Sequence, residues 1–519
     1  MAEARRSAAP LVATGILLSR IAGLVRQRVL AHFLGLTEAA DAFAAAFRIP
    51  NFLQNLFGEG VLSASFIPVY ARLTAQGRTE EARRVAGAVA GLLAVVVSVL
   101  VALGITFAPE LTGLIARGFT GAKRDLTIRL VRVLFPGIGF LVFSAWCLGI
   151  LNSHGRFLLS YSAPVVWNAA IIAAALLSPG PAASDTIVLW VAWGAVLGGV
   201  LQFAIQLPAV FRRAGPVRPA LRTGGEVSTV LRNFGPAFLG RGVVQISAFV
   251  DAFLASLLPT GALAALTNAQ LLYTLPVSLF GMSVAAAELP ALSAEAGEEE
   301  ASDRLRQRVE TGVRQIAFFI VPSMAAMAAL GHIIAGVIFQ TGLFTGADAT
   351  YVWGILAGSA VGLLAGTLGR LYASAWYALH DARTPLRFSV IRVGLSIALG
   401  SLAALYLPGW LGIEPRWGAA GITAASGIAG WVEFLLLQRS LDRRVGRTRL
   451  GTGYLLRLWI PAAVATAAGW GILLLLGGRW GPIATGLAVL LPFGIVYLAG
   501  TLALRVPMAL RLAGRISAV

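Results

Sequence analysis

One lysine, one cysteine and four histidines in 519 residues remove whole classes of chemistry from this chain. The lysine, Lys123, follows Ala122, so no GxxxxGK[ST] phosphate loop exists and no ATP engine of that type is present. Cys147 stands alone in an apolar run, which excludes an intramolecular disulfide, a CxxC pair and a thiolate metal site. His32, His154, His332 and His380 have no HExxH spacing, and no GxSxG nucleophile elbow occurs. No catalytic residue, metal site or resident cofactor is expected, and an enzyme reading fares poorly. Charge is scarce as well: 12% of residues are charged, against roughly 25% in a soluble domain.

What is abundant is apolar, at 58% of the chain, with a net charge of +18 carried almost wholly by arginine. Runs of about 20 apolar residues are long enough to cross a bilayer. They predict fourteen spans, near residues 9–33, 42–70, 84–108, 130–151, 158–178, 186–210, 230–257, 263–292, 312–331, 352–378, 386–407, 418–438, 453–477 and 482–504. Arg5 and Arg6 before the first run resemble a signal peptide, but that run contains Arg20 and outlasts a signal core, so it reads as a retained span. Arginines in alternate loops, including Arg72, Arg78, Arg83 and Arg84, then Arg212, Arg213, Arg218 and Arg222, then Arg439, Arg443, Arg444, Arg447 and Arg449, place those loops and both termini in the cytoplasm. One loop, with Arg117, Lys123, Arg124 and Arg129, breaks this pattern and reads as an interfacial helix or a misplaced third or fourth span. The basic loops lack a separate basic domain, so membrane lipids are the expected partner and nucleic acid is not.

Laid on itself at an offset of 226, the chain repeats. Pro10, Gly35 and Pro50 fall on Pro236, Gly261 and Pro276, and Leu56-Phe57-Gly58 falls on Leu279-Phe280-Gly281 with a small slip. The offset spans six helices, an even number, which gives a parallel repeat about an axis along the membrane normal. The expected fold is all-α and integral to the membrane. A six-helix lobe at 1–225 and another at 226–445 enclose a central cavity, and two further helices occupy 446–519.

Ionisable residues inside apolar spans cost roughly 2.5–3.5 kcal/mol each at the bilayer centre, so they mark functional positions. Arg20, Arg26, Arg28, Asp41, Arg48 and Glu59 crowd the first two spans. Guanidinium stays charged and binds phosphate or carboxylate in a two-pronged geometry, which points to an anionic ligand. Arg20 and Arg26, six apart, need a kink or rotation to reach one head group. Pro50 breaks helical hydrogen bonding in the second span, and Asn51 can satisfy a freed backbone group, so this region combines charge with a joint.

Ser19-Arg20-Ile21, Gly23, Arg26, Asp41-Ala42-Phe43, Ala46-Phe47-Arg48-Ile49-Pro50-Asn51, Glu59-Gly60, Ser63 and Phe66-Ile67-Pro68 resemble the opening of the MurJ (MviN) family of lipid II flippases. Tyr377, Asp381, Arg383, Thr384 and Pro385 extend the resemblance, as do Gly235-Pro236, Gln245-Ile246-Ser247 and Gly281 to Pro290. The resemblance implies the multidrug/oligosaccharidyl-lipid/polysaccharide exporter fold, a groove for a long lipid tail on the last two helices, and location as a monomer in the bacterial cytoplasmic membrane. It implies flipping of undecaprenyl-diphosphate-linked disaccharide pentapeptide for cell-wall synthesis. Ser19, Arg20, Arg26, Asp41, Arg48, Asn51 and Glu59 are then the expected substrate-binding set, with Pro50, Gly58 and Pro276 as gating joints.

The chain also departs from the family. It has Gln54 and Asn55 where many members carry an arginine, and Leu271 and Thr274 where an arginine and a glutamate precede the proline. Arg241 and Arg370 are expected to compensate by facing the cavity. Some members bind sodium through the seventh, eleventh and twelfth spans. Here Asp251 is the counterpart of an acidic ligand, while Arg392 is expected to act as an internal cation opposite Asp251 or Glu433. Energy then comes from the membrane potential or an ion gradient. Three other functions fit parts of this pattern: export of another polyprenyl-linked oligosaccharide, drug/cation antiport, and a non-transporting membrane scaffold.

Overall fold

A computed structural model describes residues 2–54, 56, 61–221, 224–282, 299–448 and 450–516. Their regular structure is helical. The apolar runs dictate this, because a backbone in hydrocarbon must satisfy its own N–H and C=O groups and a helix does so within one segment.

The chain forms two compact units, one of residues 1–264 with 341–343, the other of residues 265–340 with 344–519. The first holds α1 (Ala2–Leu34), α2 (Glu38–Gln54), α3 (Ser63–Ala75), α4 (Thr79–Thr106), α5 (Ala108–Ile115), α6 (Gly121–Ser153), α7 (Phe157–Leu176), α8 (Asp185–Ala214) and α9 (Glu226–Ser256). In it α7 packs on α1 and α8, α6 packs on α2, α4 and α8, and α9 packs on α3 and α5. Compactness therefore groups α9 with the helices before it, although the sequence repeat begins at its N-terminus.

Helix α10 (Ala262–Pro276) runs into a π-helical turn, Val277–Met282. The second unit continues with α11 (Glu299–Phe339), α12 (Gly346–Val361), α13 (Leu363–Ala378), α14 (Arg383–Leu405), α15 (Leu407–Leu411), α16 (Gly418–Val445), α17 (Thr452–Leu476), α18 (Pro482–Ala503) and α19 (Pro507–Ile516). Here α14 packs on α16, α16 on α12 and α13, and the C-terminal pair α17 and α18 on each other and on α11.

Ten described helices are long and apolar enough to cross a membrane, or eleven when α12 and α13, bent by 42° at Gly362, count as one. Among the described residues the expected count of fourteen is not confirmed. The other expected spans, 9–33, 42–70 and 230–257, are helical over α1, over α2 and α3, and over α9, but α1 carries Arg20, Arg26 and Arg28, and α2 ends after 17 residues. The unexplained basic loop also resolves. Lys123, Arg124 and Arg129 occupy the first turns of α6, which starts well before the apolar run, and Arg129 pairs with Asp185.

The repeat has a structural counterpart. Leu56 and Leu279, matched in sequence, both lie in π-helical turns, and Pro276 ends α10 where the widened turn begins. Proline lacks the N–H that would continue the ladder, and a π-turn is a common way to absorb the fault. Gly35 and Gly261, also matched, both have positive φ, at 55° and 91°. A Cβ on Gly261 would stand 2.7 Å from the Leu36 carbonyl oxygen, whereas on Gly35 it would stand 3.0 Å from that of Leu343. Gly261→Ala is expected to destabilise the protein by about 2 kcal/mol or more and Gly35→Ala by less, because 91° lies outside the left-handed well that alanine tolerates. Thermal unfolding of both variants checks the order.

Candidate functional site

In the first unit, α1, α2 and α7 meet around Arg26. Its guanidinium lies over the Phe47 ring at 5.7 Å and the Trp167 ring at 5.3 Å from their centroids, and those rings stack on each other at 5.5 Å. Trp167 is fixed in turn by its indole N–H, which donates to the Ala195 carbonyl at 2.9 Å. Arg26 is half-buried, its Nε has no hydrogen-bond partner, and no carboxylate pairs with it among the described residues. Aromatic faces hold a guanidinium by its π-surface and supply no acceptor, so the buried Nε is a donor left unsatisfied, one that a planar anion would satisfy.

Arg20 and Arg26 point about 120° apart around an ideal helix, and the structure exposes Arg20 while half-burying Arg26. Ser19, next to Arg20 on α1, and Asn51, on α2, are half-buried. Arg48 donates through Nη1 to the Ala248 carbonyl on α9 and feels the Asp251 carboxylate one turn further along that helix. Asp251 therefore serves an arginine of its own unit.

Asp41 differs from expectation. Its carboxylate is 1% exposed and accepts from Lys123 Nζ at 2.6 Å, Gly261 N at 2.7 Å and Ala264 N at 2.9 Å. It caps the N-terminus of α10 from another helix and neutralises the sole lysine, which also lies 4.1 Å from the Phe119 centroid. With both oxygens engaged and solvent excluded, Asp41 neither pairs with an arginine nor presents an edge to a ligand in this state.

The second unit gathers a separate cluster. Arg392 Nε lies 3.0 Å from Glu433 Oε2, and Ser389 donates to Glu433 Oε1 at 2.6 Å. The Arg370 guanidinium is hydrogen-bonded to the Tyr273 hydroxyl and feels both Arg392 and Glu433. Pro276 is buried at the end of α10. Gly58 and Glu59 lie outside the described residues, as do the side chains of Pro50 and Arg241.

Sequence reasoning missed Trp167, Tyr273 and Ser389. An aromatic in an apolar helix reads as packing, and nothing local marks the arginine it meets. Nor was a metal centre legible: no group of three or more His, Cys, Asp or Glu side chains with metal-binding geometry occurs among the described residues.

Comparison with known proteins gives this arrangement a context. The family described as lipid II flippase MurJ matches residues 30–491. A Vibrio cholerae serotype O1 protein named "Probable lipid II flippase MurJ" is 31% identical over 514 residues, which are 93% of this chain and 95% of that one. The "Lipid II flippase MurJ" of Burkholderia cenocepacia is 31% identical over 437 residues, 82% of each chain. The solved structure "Lipid II flippase MurJ, inward closed conformation" superposes with a TM-score of 0.78 at 23% identity, over 95% of this chain and 98% of that one. An inward-facing multidrug resistance MATE family transporter of the MOP superfamily gives 0.65 at 18% identity, over 82% and 95%. These two likenesses establish the transporter fold.

Proposed function

Because the chain belongs to the lipid II flippase MurJ family, we propose that it carries lipid II from the inner to the outer leaflet of the bacterial cytoplasmic membrane, for peptidoglycan synthesis. The observation that carries this reading is Arg26: a guanidinium on α1, gripped by Phe47 and Trp167, with a buried, unpartnered Nε and no described counter-charge. A charged diphosphate cannot enter hydrocarbon alone, whereas charge-assisted hydrogen bonds to arginine replace its lost water. Arg20 adds a second, exposed guanidinium to the same helix.

The protein acts as a transporter that breaks no bond. The π-helical turns at Leu56 and Val277–Met282 support hinges for alternating access, since they interrupt the helical ladder beside Pro50 and Pro276. The inside-negative potential supplies a driving force of the right sign. Each net negative charge moved outward through 100 mV gains about 2.3 kcal/mol. The basic loops support cytoplasmic termini.

A sodium ion does not fit the second-unit carboxylate, because Arg392 already stands 3.0 Å from Glu433. The guanidinium serves as an internal cation there. Transport by the parent is expected to be unchanged when sodium is replaced by potassium, and Arg392→Ala to acquire a sodium dependence; a variant indifferent to sodium overturns this role.

The direct test is depletion of a bacterium's own lipid II flippase with this chain expressed in its place. Lipid II exposed on the outer leaflet supports the reading. A well-inserted chain that restores no exposure overturns it and turns attention to another polyprenyl-linked oligosaccharide, which shares the diphosphate but not the head group.

A further inference from the structure

Arg370 stands on α13, within a bent helix pair of membrane-crossing length and apolarity. Its surroundings are unlike those of an arginine that merely closes an ion pair. The partner is a neutral phenol, that of Tyr273 on α10, which takes one of the five N–H donors and none of the charge. Gly366, one turn earlier on α13, places that hydroxyl against the helix: a Cβ there would stand in ordinary van der Waals contact with it, at 3.4 Å. The nearby carboxylate, Glu433, is committed at 3.0 Å to Arg392 and held from its other oxygen by Ser389. Arg392 and Glu433 are half-buried, with side chains 26% and 17% exposed, whereas Arg370 is exposed. Among the described residues two guanidiniums thus face one carboxylate, and the charge left over rests on the exposed Arg370.

Resting on the flippase reading, we propose that Tyr273 is a positioning residue for Arg370, and that Tyr273, Arg370, Arg392 and Glu433 form an anion subsite of the second unit that takes a polyprenyl-linked diphosphate. The phenol restrains a long, rotamer-rich side chain without neutralising it, which a carboxylate in the same place would do. Glu433 holds Arg392 beside Arg370 despite their repulsion, and an incoming diphosphate relieves that repulsion. The subsite also explains how the chain functions with Leu271 and Thr274 in its eighth span. Tyr273, on the same helix, recruits a guanidinium from α13.

The test measures equilibrium binding of labelled undecaprenyl diphosphate, and of lipid II, to the purified full-length protein in nanodiscs. Tyr273→Phe keeps the ring and its packing and removes only the hydroxyl. It is expected to weaken undecaprenyl diphosphate binding about tenfold, comparable to losing one hydrogen bond to a charged group. Arg370→Ala is expected to weaken it more. The deciding readout is the double variant: adding Tyr273→Phe to Arg370→Ala should cost nothing further, because the hydroxyl acts only through that guanidinium. A Tyr273→Phe protein that binds like the parent, or whose defect persists in full without Arg370, overturns the proposal. Arg26→Ala, measured alongside, separates the two readings. If it abolishes binding while the Arg370 variants do not, the subsite alone falls. If the parent binds neither lipid, the flippase reading falls and takes the subsite with it.

Discussion

Arg26→Ala is expected to reduce lipid II flipping about a hundredfold or more while leaving the folded protein as stable as the parent, or more so. The two effects part because Arg26 is half-buried without a described counter-charge. Its desolvation is offset within the protein only by the Phe47 and Trp167 faces, worth about 0.5–2 kcal/mol each. Deleting it therefore removes a cost of folding along with a ligand contact. Two charge-assisted hydrogen bonds to a diphosphate, at roughly 1.5–3 kcal/mol each, account for the loss of activity. Arg26→Lys should recover a minor part, since an ammonium keeps the charge but not the planar fork. Trp167→Leu should cost severalfold by releasing one face. Flipping in depleted cells and thermal unfolding of purified protein check both sides. An Arg26→Ala protein that flips normally, or that unfolds markedly earlier, sinks the assignment.

Lys123→Met should have the opposite character, with a large loss of stability. Asp41 is buried, and its charge is balanced by Lys123 at 2.6 Å and by two amides at the start of α10. Removing the lysine leaves an uncompensated buried carboxylate, a change that costs about 3–5 kcal/mol. The double variant Asp41→Asn/Lys123→Met should recover much of this, because a neutral amide needs no counter-charge and its oxygen still accepts from the backbone. Thermal unfolding of the single and double variants forms a cycle. A Lys123→Met protein as stable as the parent would falsify the balance described for this ion pair.

The contrast between these two sites shows how far the sequence reaches. Arg26 was legible because charge inside a bilayer-length apolar run is conspicuous, and the cost of placing it there already implies a use. The helices were legible from the apolar runs: a helix satisfies its backbone groups within one segment, so apolar length predicts most of the spans. Arg392 and Glu433 were both marked by their charge, and the structure brings them together. The role of Asp41 was not legible. Its partners, Lys123, Gly261 and Ala264, are set by how α2, α6 and the turn before α10 pack, and no local pattern links them. Tyr273 was equally hidden, because an aromatic in an apolar helix carries no outward sign of the guanidinium it holds. The repeat located Gly261 and Pro276 by symmetry, yet their tasks, a left-handed turn and the start of a π-turn, belong to the backbone and not to any motif.

The ion pair at Asp41 also gives the molecule a built-in chemical reporter. Only one side-chain amine exists in the chain, and its side chain is 10% exposed with its nitrogen held against a carboxylate. Shielded and held against a carboxylate, it is slow to react with acylating reagents. Amine-selective labelling is therefore directed to a single side chain, whose modification rate counts the moments when α6 lets go of α2. Residue-specific kinetics of that opening come from the native sequence, with no engineered cysteine or inserted tag.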